Sequence, residues 1–168
     1  MAGAISRAWR HLFAGSARRL YPTDRLHRIA AAITDGEATH LGQVCFAVES
    51  ALPLGAVWSG LDAGGRAGEV FSRLRVWDTD ANNGVLVYLL LADHRIEIVA
   101  DRGVAARVDD GQWRAVCAQM ETRLRDGDPE AAALEGVAAV SALLARHFPR
   151  AAGDVRRNEL PDLPQILD

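Results

Sequence analysis

Three oxygen-bearing side chains recur at every second position just before the most apolar run of the chain. Asp78, Asp80 and Asn82 occupy positions i, i+2 and i+4, a spacing that lets short side chains in a tight loop converge on a hard cation, as at the start of an EF-hand loop. The full EF-hand pattern is absent, because its sixth position is Asn83 instead of glycine and its twelfth is Leu89 instead of glutamate. The spacing therefore predicts a divalent-cation site of another kind.

The same loop is also compatible with a turn that binds nothing. Aspartate and asparagine side chains accept hydrogen bonds from nearby backbone in Asx turns, and Asn83-Gly84 is a natural left-handed pair. A third interpretation is the Asp-x-Asp nucleophile of an aspartyl-phosphate phosphatase. That motif follows a buried strand, whereas Asp78 and Asp80 precede one, so this assignment is rejected. A cation site and a plain turn both stay open at this point.

Three apolar segments predict the strands that position the loop. Within Gln43–Glu49, large apolar side chains recur at every second position (Val44, Phe46 and Val48), which predicts a strand. Gly84–Leu91 is apolar almost throughout, which predicts a strand buried on both faces. Arg95–Ala100 follows after a tight connection and predicts an antiparallel hairpin. Because a helix connects the first two segments, they are expected to be parallel.

This topology brings further polar residues to the edge of the sheet where the loop lies. The starts of the two parallel strands and the end of the hairpin share that edge, which adds Glu37, His40 and Asp101. Several carboxylates on one edge repel one another unless a cation or arginines lie between them. The predicted metal ligands are Asp78, Asp80, Asn82, Asp101 and Glu37.

Helical periodicity surrounds these strands with helices. The segments with apolar residues at three- and four-residue steps are 4–20, 24–39, 67–74, 110–125 and 130–147. The segment from Pro53 to Gly65 contains four glycines and predicts a loop of about a dozen residues. The predicted fold is an α/β sandwich, in which helices cover a mixed sheet of three to four strands in the order αα-β-α-ββ-αα.

The first helix is amphipathic and basic. Its apolar residues are Ile5, Trp9, Leu12, Phe13 and Leu20. Arginines are interspersed, and no acidic residue precedes Asp24. Such a helix can lie on an anionic membrane surface, but we expect its stripe to pack on the domain itself, with at most weak peripheral membrane contact through residues 4–20.

Composition restricts the class of partner and the location. A net charge of −3 argues against nucleic acid, whose phosphates dominate such affinities. No apolar run reaches the roughly 18 residues of a membrane span, and Arg7 and Arg10 interrupt the segment that a signal peptide needs. The expected location is the cytoplasm. No P-loop, G-x-G-x-x-G or G-x-S-x-G motif occurs, so no organic cofactor is predicted.

The segments DTDANNGVLVYLL and RIEIVADRG, with the run from Glu37 to Gly42 before a strand, resemble the TPM-domain family. The resemblance covers about Asp24 to Phe148. It implies an α/β sandwich, a divalent-cation site, usually for calcium, at acidic loops that include Asp78 and Asp80, and a weak acid-phosphatase activity without a shared catalytic apparatus. The chain departs from the family pattern where Val99-Ala100-Asp101-Arg102 replaces the usual glycines, and in having neither signal nor span.

Three functions follow as expectations. The first is an accessory or binding domain with a calcium site, acting through an unidentified protein partner. The alternatives are a weak metal-dependent acid phosphatase and a peripheral membrane accessory protein. The predicted organisation is a basic helix over residues 1–22, a TPM-like domain over 23–148 and an extended tail over 149–168 that lies on the domain surface.

Overall fold

Two parallel strands form the centre of the protein, described by a computed structural model for residues 2–155 and 157–167. The helices of the described chain are α1 Ala2–Leu12, α2 Ala17–Leu20, α3 Thr23–Glu37, α4 Leu54–Trp58, α5 Ala63–Arg73, α6 Arg102–Ala105, α7 Asp110–Arg125 and α8 Pro129–His147, with a 3-10 turn at Leu91–Asp93. The strands are β1 Gln43–Glu49, β2 Gly84–Leu90, β3 Arg95–Ala100 and β4 Gln165–Leu167.

The four strands form one mixed sheet in the order β3-β2-β1-β4. β1 and β2 are parallel, from Gln43 opposite Gly84 onwards, and β2 and β3 form the antiparallel hairpin. Every residue of β1 and β2 is buried, because helices cover both faces of the sheet. The predicted α/β sandwich with a mixed sheet is therefore confirmed.

Side-chain alternation along β1 and β2 divides the core into two layers. Val44, Phe46 and Val48 point towards α3, α7 and α8, whereas Cys45 and Ala47 point towards α4 and α5. α1 lies on this second side, where Ala8 contacts the core. The 3-10 turn between β2 and β3 lies next to α1.

Two connecting segments differ from the sequence-based prediction. The predicted loop between β1 and α5 contains α4, because Pro53 precedes a short apolar segment whose Val57 is buried. The C-terminal tail does more than lie on the surface. β4 pairs in parallel with β1, and Leu160 and Leu167 are buried in the second core layer. The side-chain amide of Gln43 fixes this tail, since its nitrogen donates to Arg157 O and its oxygen accepts from Glu159 N.

The orientation of the N-terminal helix also differs. The apolar stripe of α1 was expected to pack on the domain, but Trp9 is 57% exposed and Phe13 is 70% exposed. This expectation is wrong for the large side chains of the stripe. α1 contacts the domain through Ala8 and through Arg7 and His11, so Trp9 and Phe13 face outward. Within the described ranges, each helix is too short or too polar to span a bilayer.

Candidate cation site at the acidic loop

The acidic loop, residues 78–83, links the turn after α5 to the first residue of β2. Tight backbone contacts hold it in place. A Cβ on Gly84 would lie 2.0 Å from Val76 O, and a Cβ on Gly103 would lie 2.5 Å from Asn82 O. Asn82 itself is left-handed, with φ of 51°, a conformation that asparagine tolerates better than most residues. The amide of Gly103 donates to Asn82 O over 3.0 Å, so the loop is attached to the start of α6.

An arginine faces each of the three predicted ligands on the loop. Arg75 pairs with Asp78, and Nη1 of Arg157 lies 2.8 Å from Oδ2 of Asp80. Nε of Arg102 donates to Oδ1 of Asn82 over 2.9 Å. Asp78 and Asp80 are well exposed, with side chains 48% and 74% accessible. Exposed ion pairs of this kind contribute only about 0–1 kcal/mol each to stability. A cation that displaces the arginines from Asp78 and Asp80 therefore loses little free energy in doing so.

Asp101 differs from the loop aspartates because it is buried and only one of its two carboxylate oxygens accepts a hydrogen bond from the described residues. It precedes α6, where Oδ1 accepts a 2.7 Å hydrogen bond from Arg102 N, and its own amide donates to Gly84 O. The residue is only 8% exposed, and Oδ2 has no hydrogen-bond partner among the described residues. A buried oxygen left in this state costs about 1–3 kcal/mol or more when charged.

Glu37 and His40 lie at the same edge of the sheet but inside the protein. Both are fully buried. Oε1 of Glu37 accepts a 2.9 Å hydrogen bond from Val44 N and so connects the end of α3 to β1. Nδ1 of His40 donates to Gly42 O over 3.1 Å. Burial lowers the pKa of His40 to about 4.

The oxygen chemistry of this corner suits a hard cation, although its side chains do not converge. Asp78, Asp80, Asn82 and Asp101 supply oxygen only, which is what calcium prefers. In the described ranges, no three His, Cys, Asp or Glu side chains lie close enough together to hold a metal ion. These four residues therefore fit a cation only if Asp78 and Asp80 leave their arginines. Glu37 fits less well, because its carboxylate is committed to the β1 backbone.

Sequence reasoning missed the three arginines that neutralise the loop. Arg75 lies three residues before Asp78, and this short spacing is a local signal that sequence analysis could have used. Arg102 is adjacent to Asp101, and its amide donates to that carboxylate, but its guanidinium contacts Asn82. Arg157 comes from the tail, and no sequence spacing relates it to Asp80.

Comparison with known proteins identifies the family of this chain. The family model for the TPM domain matches residues 20–143. The chain belongs to the TPM-domain family. BA42 protein from the psychrophilic bacterium Bizionia argentinensis, solved by NMR, is 25% identical, with 85% of this chain and 92% of BA42 covered at a TM-score of 0.73. The N-terminal domain of a P. gingivalis protein, also solved by NMR, is similar in fold, with 16% identity, coverage of 82% and 86%, and a TM-score of 0.63. No curated protein matches the chain.

Within this TPM domain, the acidic loop and Asp101 fall inside the matched range. Two residues that contact Asp80 do not. Arg157 pairs with its side chain, and Oε2 of Glu159 accepts from its amide over 2.8 Å. The acidic loop of this TPM-domain protein is therefore contacted by a C-terminal segment beyond the matched range.

Proposed function

We propose that the chain is an accessory binding domain of the TPM family whose acidic loop takes a divalent cation, calcium by preference. The observation that carries the proposal is Oδ2 of Asp101, a buried carboxylate oxygen with no hydrogen-bond partner in the described ranges. It lies at the start of α6, to which the loop is attached through Gly103 and Asn82. A cation at this corner would coordinate an oxygen that is unpaired among the described residues.

Asp78, Asp80, Asp101 and the side-chain oxygen of Asn82 would hold the ion. Its positive charge would replace the arginine contacts of the two exposed aspartates and would join the loop to α6. Displacement of Arg157 from Asp80 would also loosen one contact between the loop and the tail. Cation binding would then change the surface that the loop and tail offer to a protein partner.

The phosphatase alternative receives no comparable support. Asp78 and Asp80 are exposed and pair with arginines, whereas a carboxylate nucleophile needs a positioned acid or base beside it. A useful catalyst must supply about 8 kcal/mol or more of transition-state stabilisation. We therefore propose binding without turnover, and an aryl-phosphate assay that showed calcium-dependent hydrolysis lost in Asp78→Asn would replace this proposal with an enzyme.

Isothermal titration of calcium into the purified chain tests the binding. One calcium per chain is expected for the wild type. Asp101→Asn should weaken binding, and the double variant Asp78→Asn/Asp80→Asn should remove it. Asp35→Asn/Asp126→Asn is the matched control, because both residues are exposed and the same two charges are lost away from the loop. Equal binding by the two double variants would contradict the proposal, as would the absence of binding to the wild type.

A further inference from the structure

One carboxylate receives three basic side chains from the polar side of α1. Asp93, at the turn between β2 and β3, accepts hydrogen bonds of 2.9 and 2.7 Å from Nε and Nη2 of Arg7. Arg10 reaches the same carboxylate over 3.3 Å, and Nε2 of His11 lies 3.2 Å from it. Three basic side chains from consecutive turns of α1 therefore meet one buried anion.

His11 completes this attachment on the inner side of the helix. Its side chain is fully buried, and Nδ1 accepts a 2.9 Å hydrogen bond from Leu52 N. This bond leaves the ring proton on Nε2, the nitrogen that faces Asp93. The segment before α4 and the β2–β3 turn are thus both joined to α1 by polar contacts, which set the rotation of the helix about its axis.

Because the polar side points inward, the apolar side points to solvent. It continues onto α4, and together the exposed apolar side chains form what we call the outer apolar face. Its members are Ile5, Trp9, Leu12, Leu54 and Trp58. They line a groove of about 240 Å³. Trp9 is also stacked on Phe13, with ring centroids 5.3 Å apart, so the apolar surface extends beyond the groove.

An exposed surface of this kind is unusual on a monomeric protein and marks a site of contact. Burial of apolar area is favourable by about 25 cal/mol per Å². Trp9 and Phe13, two large apolar side chains of this region, stay more than half exposed and do not contribute this free energy to folding. Two tryptophans and a phenylalanine on one face are typical of proteins that insert side chains at a membrane–water interface. Aromatic rings there combine an apolar body with a polar edge.

The charges around the outer apolar face identify the occupant. α1, α4 and the segments that adjoin them, residues 2–22 and 50–61, contain no Asp or Glu, although the whole chain has 22 acidic residues and a net charge of −3. Asp62, the next acidic residue, accepts a hydrogen bond from Gly65 N at the start of α5. Residues 2–22 instead carry four arginines. Arg10, Arg18 and Arg19 are exposed, and Arg10 also pairs with Asp93. The carboxylate of Asp93 is only 9% accessible and is compensated by α1 itself. An apolar face with a positive rim is complementary to an anionic lipid surface.

We infer that α1 and α4 form a docking surface for an anionic lipid bilayer. The helix lies in the plane of the interface, Trp9 and Trp58 enter the boundary between headgroups and acyl chains, and Arg19 contacts lipid phosphates. The fold itself supplies the helix orientation, so docking needs no unfolding of α1. This surface is separate from the acidic loop and does not depend on calcium.

Co-sedimentation of the full chain with vesicles tests the inference. Vesicles of phosphatidylcholine with about 30% phosphatidylglycerol should bind the wild type, and vesicles of phosphatidylcholine alone should bind it far less, since the charges contribute about 1 kcal/mol per arginine near the surface. Trp9→Ser/Trp58→Ser should weaken binding by about tenfold or more, because two buried indole rings are lost. Arg19→Gln should weaken it and reduce its salt dependence without touching the contacts of Asp93.

Matched controls separate this surface from general effects. Trp77→Ser removes a tryptophan that is 48% exposed and lies outside the surface, and Arg114→Gln removes an exposed arginine elsewhere. Both controls should bind vesicles as the wild type does. Absence of wild-type binding, or equal binding by Trp9→Ser/Trp58→Ser, would overturn the inference. Sedimentation velocity supplies the competing outcome: a dimer abolished by the same tryptophan substitutions, without vesicle binding, would assign the face to a second copy of the chain instead.

Discussion

The guanidinium of Arg7 donates hydrogen bonds of 3.2, 2.9 and 2.7 Å to the carboxylate of Asp93, although 86 positions separate the two residues in the chain. This pair, together with the His11 contact, turns the polar side of α1 inward. Burial alone would raise the pKa of the Asp93 carboxyl, but the contacts with Arg7, His11 and Arg10 hold this pKa below its usual value. The charged form of Asp93 is therefore the form that stabilises the attachment.

Substitution of Asp93 by asparagine should detach α1. The expected loss of unfolding free energy is about 1.5–3 kcal/mol, the range for hydrogen bonds to charged groups, measured by urea denaturation. Amide hydrogens of α1 should exchange faster, whereas those of β1 should not. Asp126→Asn, at an exposed position, is the control. Unchanged exchange in α1 would show that its apolar contacts alone hold it.

Acid should act on the wild type as the Asp93 substitution does. Since the pKa of Asp93 is lower in the folded protein, its contribution is present above the unfolded value of about 3.9 and is lost as pH falls through the folded pKa. The loosening of α1 is thus expected only below about pH 4. Faster exchange of α1 amides already at pH 6 would contradict this assignment.

His40 should give the stability of the fold a separate pH dependence. Burial lowers its pKa to about 4, whereas the unfolded value is about 6.5. The neutral ring is therefore favoured on folding, and its contribution is complete above pH 6.5 and lost as pH falls towards 4. One proton over this interval corresponds to roughly 3 kcal/mol. NMR titration of the His40 ring should show little protonation above about pH 5. A ring that titrates near pH 6.5 would contradict the lowered pKa.

Glycine at position 103 should be essential to the junction between the acidic loop and α6. A Cβ there would lie 2.5 Å from the backbone oxygen of Asn82, so Gly103→Ala must displace backbone. The expected cost is about 2 kcal/mol or more, and the response to calcium should be lost. Gly68→Ala is the control, because nothing lies within 4 Å of its Cβ in the middle of α5. That change should be neutral or stabilise by up to about 1 kcal/mol. Equal effects of the two changes on unfolding would contradict the close approach.

Local patterns in the sequence were sufficient for the sheet centre. β1 was predicted with its observed bounds and β2 to within one residue, because alternation and continuous apolar character report burial on a sheet. The parallel pairing followed from the helical crossover. These features depend on residues that are close in the chain.

The remaining features depend on partners that are distant in the chain. The stripe of α1 shows which residues share a face, but only the position of Asp93 determines which face points inward. β4 has three residues and follows Pro161 and Pro164, too short a segment for periodicity to indicate. For the acidic loop, the sequence indicated the shared edge, whereas the pairing of Asp80 with Arg157 required the path of the tail.

The shift of the thermal unfolding midpoint with calcium tests the proposed cation site most directly. An ion that binds only the folded chain at about 100 times its dissociation constant adds roughly 2.7 kcal/mol, and each kcal/mol raises the midpoint by about 2–4 °C for this size. Millimolar calcium should therefore raise the wild-type midpoint by several degrees, magnesium should raise it less, and Asp78→Asn/Asp80→Asn should not respond. Without calcium this variant should unfold within a degree or two of the wild type, since it loses only exposed arginine pairs. A wild-type midpoint that calcium, magnesium and manganese all leave unchanged would show that the acidic loop is only a turn.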